Sequence, residues 1–134
     1  MYLFDTDVMT NVLKKKPSQI LLKRLKYLPA REQFISVITI AEIVYGAEKN
    51  KSRERHLNDV KKMLLPEVQV LDFDFHAAYL AGRIRAALES MGMPLSFSDT
   101  AIAAIAISNG LTLITGNTKH FTRIPGLRIE NWLI

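Results

Sequence analysis

Tyr2-Leu3-Phe4-Asp5-Thr6-Asp7-Val8 is a short apolar run that leads straight into carboxylates. A strand this short and this apolar is expected to be buried on both faces, as in the middle of a parallel sheet with helices on either side. Ligands of open α/β sheets gather at the carboxyl ends of the strands, which is where Asp5 falls. Asp and Thr are also favoured helix N-caps, so Asp5 or Thr6 has a purely structural reading beside the functional one.

Outward from this stretch, strands and helices alternate to the end of the chain. Helices are expected over residues 7–13, 19–28, 37–48, 52–65, 75–91 and 99–109, and further strands over 33–36, 68–71, 111–115 and 127–130. The local signals are specific. Ser18 opens the second helix, with Ile20, Leu21, Leu25 and Leu28 at helical spacing, and Pro29 ends it. Ile40, Ile43, Val44 and Ala47 form the expected inner face of the third helix, and Gly46 gives that helix a point of close approach. The fourth is charged at its start, apolar at Val60, Met63 and Leu64, and stopped by Pro66. Asp72 or Asp74 caps the fifth helix and Gly92 ends it in a left-handed conformation. Ser96 or Ser98 caps the sixth, whose Ala-Ile-Ala-Ala-Ile-Ala interior is apolar nearly all round and therefore belongs in a core. The alternation predicts one α/β domain over residues 1–134, with a mostly parallel sheet between helical layers.

Composition narrows the functions. The 134 residues are 49% hydrophobic and 23% charged, within the globular range, and no apolar run is long enough to span a bilayer, so a soluble protein is expected. Cysteine is absent, which excludes disulfides, thiolate catalysis and thiolate metal sites and favours a reducing compartment. The net charge of +5 is uneven: 13 Lys and Arg against 7 Asp and Glu through Lys62, but 5 against 6 beyond it. A basic first half suits an anionic partner such as RNA or DNA, although Lys14-Lys15-Lys16 and Lys61-Lys62 also read as solvated helix faces.

Three carboxylates hold comparable positions: Asp5 after the first strand, Glu42 in the first turns of the third helix and Asp99 at the head of the buried helix. Each lies beside apolar sequence with no Lys or Arg adjacent, and a carboxylate near a core is costly to keep charged without a partner. A divalent cation solves that problem, and oxygen donors without Cys or spaced His pairs favour Mg²⁺ or Mn²⁺ over Zn²⁺. Structural readings stand beside this one. Thr39 and Glu42 fit a capping box, Ser96 and Asp99 fit a similar pattern, and Asp7 reads as a first-turn acid. His56, His76 and His120 are scattered and read as structural or exposed, Arg83 and Arg85 as solvent-facing, and no Gly-rich phosphate loop is present.

These motifs together resemble the PIN-domain ribonucleases, and within them the VapC-type toxins of bacterial toxin–antitoxin pairs. The resemblance is carried by Tyr2-Leu3-Phe4-Asp5-Thr6-Asp7, by Ile35-Ser36-Val37-Ile38-Thr39-Ile40-Ala41-Glu42-Ile43-Val44-Tyr45-Gly46, and by Ser98-Asp99-Thr100-Ala101-Ile102-Ala103-Ala104. Leu113-Ile114-Thr115-Gly116-Asn117, His120-Phe121 and Ile124-Pro125-Gly126-Leu127 extend it nearly to the end. It implies a PIN-like three-layer α/β/α sandwich and a metal-dependent endoribonuclease in the cytoplasm. It maps Asp5, Glu42 and Asp99 onto metal-binding acids and the fourth catalytic position onto Asn117, where many relatives carry aspartate. Thr6 and Thr115 are placed to orient ligands or a phosphate oxygen. The implied partners are RNA, with tRNA and initiator tRNA among the candidates, a cognate VapB-type antitoxin docking on the first, second or fourth helix, and a second copy in a homodimer.

Two alternatives follow from the same residues. A PIN fold that has lost catalysis would bind RNA or a partner protein, and Asn117 is the position that would mark the loss. Phe4-Asp5-Thr6-Asp7-Val8-Met9 also resembles the start of a haloacid-dehalogenase phosphatase, but Met9 stands where those enzymes need Thr or Val, and Glu42 and Asp99 would have no role.

Overall fold

The computed structural model describes the backbone of residues 1–134 and all side chains except those of Met63, Leu64 and Leu65. In order, the elements are β1 (Tyr2–Phe4), α1 (Thr6–Val12), α2 (Gln19–Lys26), β2 (Gln33–Ser36), α3 (Val37–Glu48), α4 (Arg53–Asp59), β3 (Gln69–Leu71), α5 (Phe75–Ser90), α6 (Phe97–Ser108), β4 (Thr112–Ile114), α7 (Thr118–Phe121) and β5 (Ile129–Glu130). The strands form one sheet in the order β3-β2-β1-β4-β5, and every pairing is parallel.

β1 is central, between β2 and β4, and its two-residue alternation feeds both helical layers. Leu3 packs with Ala77, Leu88, Ile102, Ile105 and Phe121 on the side of α5, α6 and α7. Phe4 turns the other way, to Val8, Met9, Leu21, Ile43 and Trp132 beside α1, α2 and α3. Leu113 and Ile114 of β4 divide in the same manner. The expected three-layer sandwich follows from this alternation. Complete burial of α6 from Thr100 to Ala106 matches its all-round apolar sequence, and each enclosed Ile or Leu contributes roughly 1.5–3 kcal/mol of transfer free energy.

The connections leaving β1 and β4 go to opposite faces, since α1 lies with Phe4 and the Phe121 end of α7 lies with Leu3. This is the topological switch point of the sheet, where neighbouring loops diverge and leave a crevice at the carboxyl ends of the strands. Asp5 follows β1 and Thr115 follows β4, both at this crevice.

Several local expectations shift by a few residues. Asp74 caps α5, with its carboxylate accepting from the Ala77 amide at 2.9 Å. Ser96 caps α6, which begins at Phe97. Gly92 and Gly110 both have positive φ and close α5 and α6, and the following amides of Met93 and Leu111 return to Leu88 and Ala106. α2 stops at Lys26, ahead of Pro29, and Ile20 is 47% exposed rather than inward. Val44 is likewise exposed, so the inner face of α3 is Thr39, Ile40, Ile43 and Ala47. Gly46 is not a close-approach point, because an added Cβ would meet nothing within 4 Å. The α-helix expected over residues 52–65 ends at Asp59 and continues as a π turn over Val60–Leu64. Val60 is buried, while the apolar face expected at Met63 and Leu64 lies outside the described side chains.

Candidate active site

Asp5 is both the N-cap of α1 and the deepest acid at the crevice. Its extended backbone turns the carboxylate onto the helix start, where Oδ1 accepts from the Thr6 amide at 2.8 Å. Oδ2 accepts from the Thr115 hydroxyl, also at 2.8 Å, which ties the ends of β1 and β4 together. The residue is 4% exposed. Burial pushes its pKa up to about 6; the Thr115 and Thr6 hydrogen bonds oppose that rise, and repulsion from Asp7 and Asp99 adds to it.

Glu42 reaches the same place through Thr6, whose hydroxyl donates to Glu42 Oε1 at 2.6 Å and lies 3.2 Å from Thr39 Oγ1. The capping-box reading of Thr39 and Glu42 is incorrect. α3 starts one turn earlier than that pattern requires, with Ser36 as N-cap and its hydroxyl accepting from the Thr39 amide at 3.0 Å. Glu42 thus sits past the first turn, free of the cap, on the exposed side of the helix.

Asp99 is held from below by its cap, since its amide donates to Ser96 Oγ at 3.1 Å. Its carboxylate does not return to the cap; it lies 3.6 Å from His120 Nδ1 and is a quarter exposed. Asn117 caps α7 without a side-chain capping bond and is exposed, while its amide donates to Thr115 Oγ1 at 3.0 Å. Through Thr115, Asn117 is therefore one hydroxyl away from Asp5.

Two neighbours of the site make contacts that their local sequence does not indicate. Asp7 is a first-turn acid, as expected, but its Oδ2 accepts from the Gly116 amide at 2.9 Å and its Oδ1 is buried without a partner among the described residues. Burial raises its pKa, the Gly116 bond opposes this, and Asp99 contributes repulsion. His120 is exposed but faces Asp99. Neither has a local signal: the pairings Asp7–Gly116 and Asp99–His120 join segments far apart in the chain.

Among the described residues no three of the Asp, Glu and His side chains converge closely enough to enclose a metal ion, with Glu42 drawn to Thr6 and Asp99 towards His120. The donor chemistry nevertheless fits a hard divalent cation. Carboxylate oxygens gather at one crevice, burial and to a lesser extent mutual repulsion raise the pKa values of Asp5 and Asp7, and among the described residues no Lys or Arg forms an ion pair with Asp5, Asp7, Glu42 or Asp99. A groove of about 500 Å³ runs from Glu42 between α1, α3 and α4, and Lys14, Lys15 and Arg55 line it.

Known proteins share this architecture. The sequence profile of the PIN domain matches residues 2–127. The chain belongs to the PIN-domain family, in the group of VapC ribonucleases. It is 40% identical to a tRNA(fMet)-specific endonuclease VapC of Salmonella typhimurium, over 98% of this chain and 97% of that one. It is 32% identical to a ribonuclease VapC2 of Rickettsia felis, over 98% of each chain. Among solved structures, the DNA-bound VapBC of Salmonella typhimurium superposes with a TM-score of 0.90 at 40% identity, covering 98% of this chain and 97% of that one. Membership of this family removes the haloacid-dehalogenase alternative for Asp5. Among the described residues no helix is long and apolar enough to cross a membrane.

Proposed function

We propose that this protein is a Mg²⁺- or Mn²⁺-dependent endoribonuclease toxin, which hydrolyses RNA phosphodiester bonds and inhibits translation. The observation that carries this reading is the buried Asp5 carboxylate at the β1–β4 crevice, repelled by Asp7 and Asp99 and linked through Thr6 to Glu42. Asp5, Glu42 and Asp99 are the residues that would hold the cation, and Asn117 completes the catalytic set as a neutral group. When bound, such an ion supplies Lewis acidity, making a water more acidic and offsetting charge on the phosphoryl oxygens and the leaving 3′-oxygen.

The protein's own groups do the rest. Thr115 and the Thr6 amide fix both oxygens of Asp5, and the Thr6 hydroxyl orients Glu42, so the acids are held on rigid elements before substrate arrives. Asn117 is placed to accept from a water or donate to a phosphate oxygen. Lys14, Lys15 and Arg55 along the groove attract an RNA backbone that the acids alone would repel. The products are a 5′-phosphate and a 3′-hydroxyl.

The substrate we assign is tRNA, including initiator tRNA, on the strength of the Salmonella relative named a tRNA(fMet)-specific endonuclease. A VapB-type antitoxin is the cognate partner, since the Salmonella and Rickettsia felis structural neighbours are VapBC complexes. A homodimer in the cytoplasm completes the reading.

The test is cleavage of total RNA and a tRNA panel by purified, antitoxin-free protein with Mg²⁺ or Mn²⁺. Activity is expected to vanish with EDTA and to fall by about two orders of magnitude or more in Asp99→Asn, because charge stabilisation in the transition state is worth several factors of ten. No cutting by folded, metal-loaded protein would leave a binding module in which Asn117 marks lost catalysis. Cutting of unstructured RNA with all tRNAs spared would remove the tRNA assignment alone.

A further inference from the structure

We propose that Asp7 is a positioning residue of this site: its carboxylate latches the Thr115–Gly116–Asn117 turn against the start of α1 and so sets where Asn117 stands. Three observations converge on the turn. Asp7 Oδ2 accepts from the Gly116 amide at 2.9 Å, across 109 residues of chain. A Cβ at Gly116 would lie 2.6 Å from Asp7 Oδ2 and 3.0 Å from Leu133 Cδ1, so any side chain there would push the Asp7 carboxylate away from the turn. Buried Thr115 donates to Asp5 Oδ2 and accepts from the Asn117 amide at 3.0 Å.

The amides of Gly116 and Asn117 are consecutive: the first donates to Asp7 in the first turn of α1, and the second donates to Thr115, whose hydroxyl in turn donates to Asp5, the cap of α1. Asp5, through Thr115, holds one side of the turn, and Asp7 holds the other directly. With both in place the backbone at Asn117 has little freedom, and its side chain leaves from a defined point at the mouth of the crevice. Glycine at 116 is what lets the turn approach a carboxylate this closely. Asp7 therefore acts through Gly116 on Asn117 and does not itself need to touch substrate.

The inference rests on Asn117 belonging to the nuclease site, so its test carries a readout independent of cleavage. Amide hydrogen exchange of the metal-free protein, followed by NMR, is compared with cleavage kinetics for wild type, Asp7→Ala, Asp7→Asn and Gly116→Ala. Loss of a hydrogen bond to a charged group corresponds to about tenfold or more, so Asp7→Ala should speed Gly116 exchange by at least that factor. It should also lower kcat about tenfold while KM stays within about threefold, as for an interaction that matters in the transition state. Asp7→Asn keeps an oxygen facing Gly116 and should restore both quantities to within about threefold of wild type. Gly116→Ala should reproduce Asp7→Ala with Asp7 still present, and it carries the test if Asp7→Ala does not fold.

An Asp7→Asn variant as impaired as Asp7→Ala would overturn the latch and assign the effect to charge. Unchanged Gly116 exchange in folded Asp7→Ala would overturn it as well. If wild type cuts no RNA, faster Gly116 exchange in Asp7→Ala still supports the latch, and the failure belongs to the nuclease reading.

Discussion

Leu3 and Leu113 lie in an apolar part of the core, while Asp5 and Thr115, two residues further on and just past the ends of the same two strands, lie in its least comfortable part. On the α5–α6 face the enclosed groups are hydrocarbon, and burial is favourable throughout. At the carboxyl edge the same depth encloses a carboxylate whose pKa has risen to about 6 and leaves Asp7 Oδ1 buried without a partner among the described residues. Stability is gained on one side of this boundary and given up on the other. A cation bound at this edge would relieve that cost, which is why the metal site proposed above lies there.

The boundary can be tested from both sides. The largest expected effect is on the apolar side: Ile105→Ala, in the fully buried stretch of α6, should lose about 2–5 kcal/mol in denaturant titration, from lost transfer and a residual cavity. At the edge the sign should reverse. A rise in Asp5 from 3.8 to about 6 corresponds to about 3 kcal/mol of destabilisation when the group is charged. Asp5→Asn removes that charge but loses about 1 kcal/mol with one acceptor, so the metal-free variant should be about 2 kcal/mol more stable than wild type at pH 8, while cleavage is lost.

The pH dependence sharpens the same point. The folded state holds the Asp5 proton more tightly than the unfolded chain does, so the penalty is absent below about pH 3.8, grows from there to about pH 6 and is complete above it. Thermal melts of metal-free wild type should therefore show this contribution declining as pH rises through that window. The advantage of Asp5→Asn should shrink toward pH 5, and Mg²⁺ should raise the melting temperature more at pH 8 than at pH 5. The smallest effect is a control at a cap. Ser96→Ala removes the hydroxyl that receives the Asp99 amide and should cost about 1 kcal/mol, read by chemical denaturation.

Much of the fold was legible because its rules are local. The apolar Tyr2–Phe4 strand, the cap at Ser18, the caps narrowed to Asp72 or Asp74 and to Ser96 or Ser98, and the glycines ending α5 and α6 each depend on one turn of chain. The acids Asp5, Glu42 and Asp99 were legible as oddities, carboxylates beside apolar sequence with no cation next to them. Where spacing misled, a neighbour had already met the local need. Ser36 makes the cap that the Thr39–Glu42 pattern offers as one of its two readings, which leaves Glu42 free, and Ile20 on α2 and Val44 on α3 face outward despite their periodicity.

The sequence by itself determined the alternation of strands and helices, the burial of β1 and α6, and which carboxylates lacked local partners. Only the tertiary structure decided the strand order β3-β2-β1-β4-β5, and with it the crevice between β1 and β4, the Asp5–Thr115 bond and the Asp7–Gly116 latch. Local propensity and capping act within a few residues, whereas parallel pairing joins strands through long crossovers, and contacts made across such crossovers leave no spacing in the chain to read.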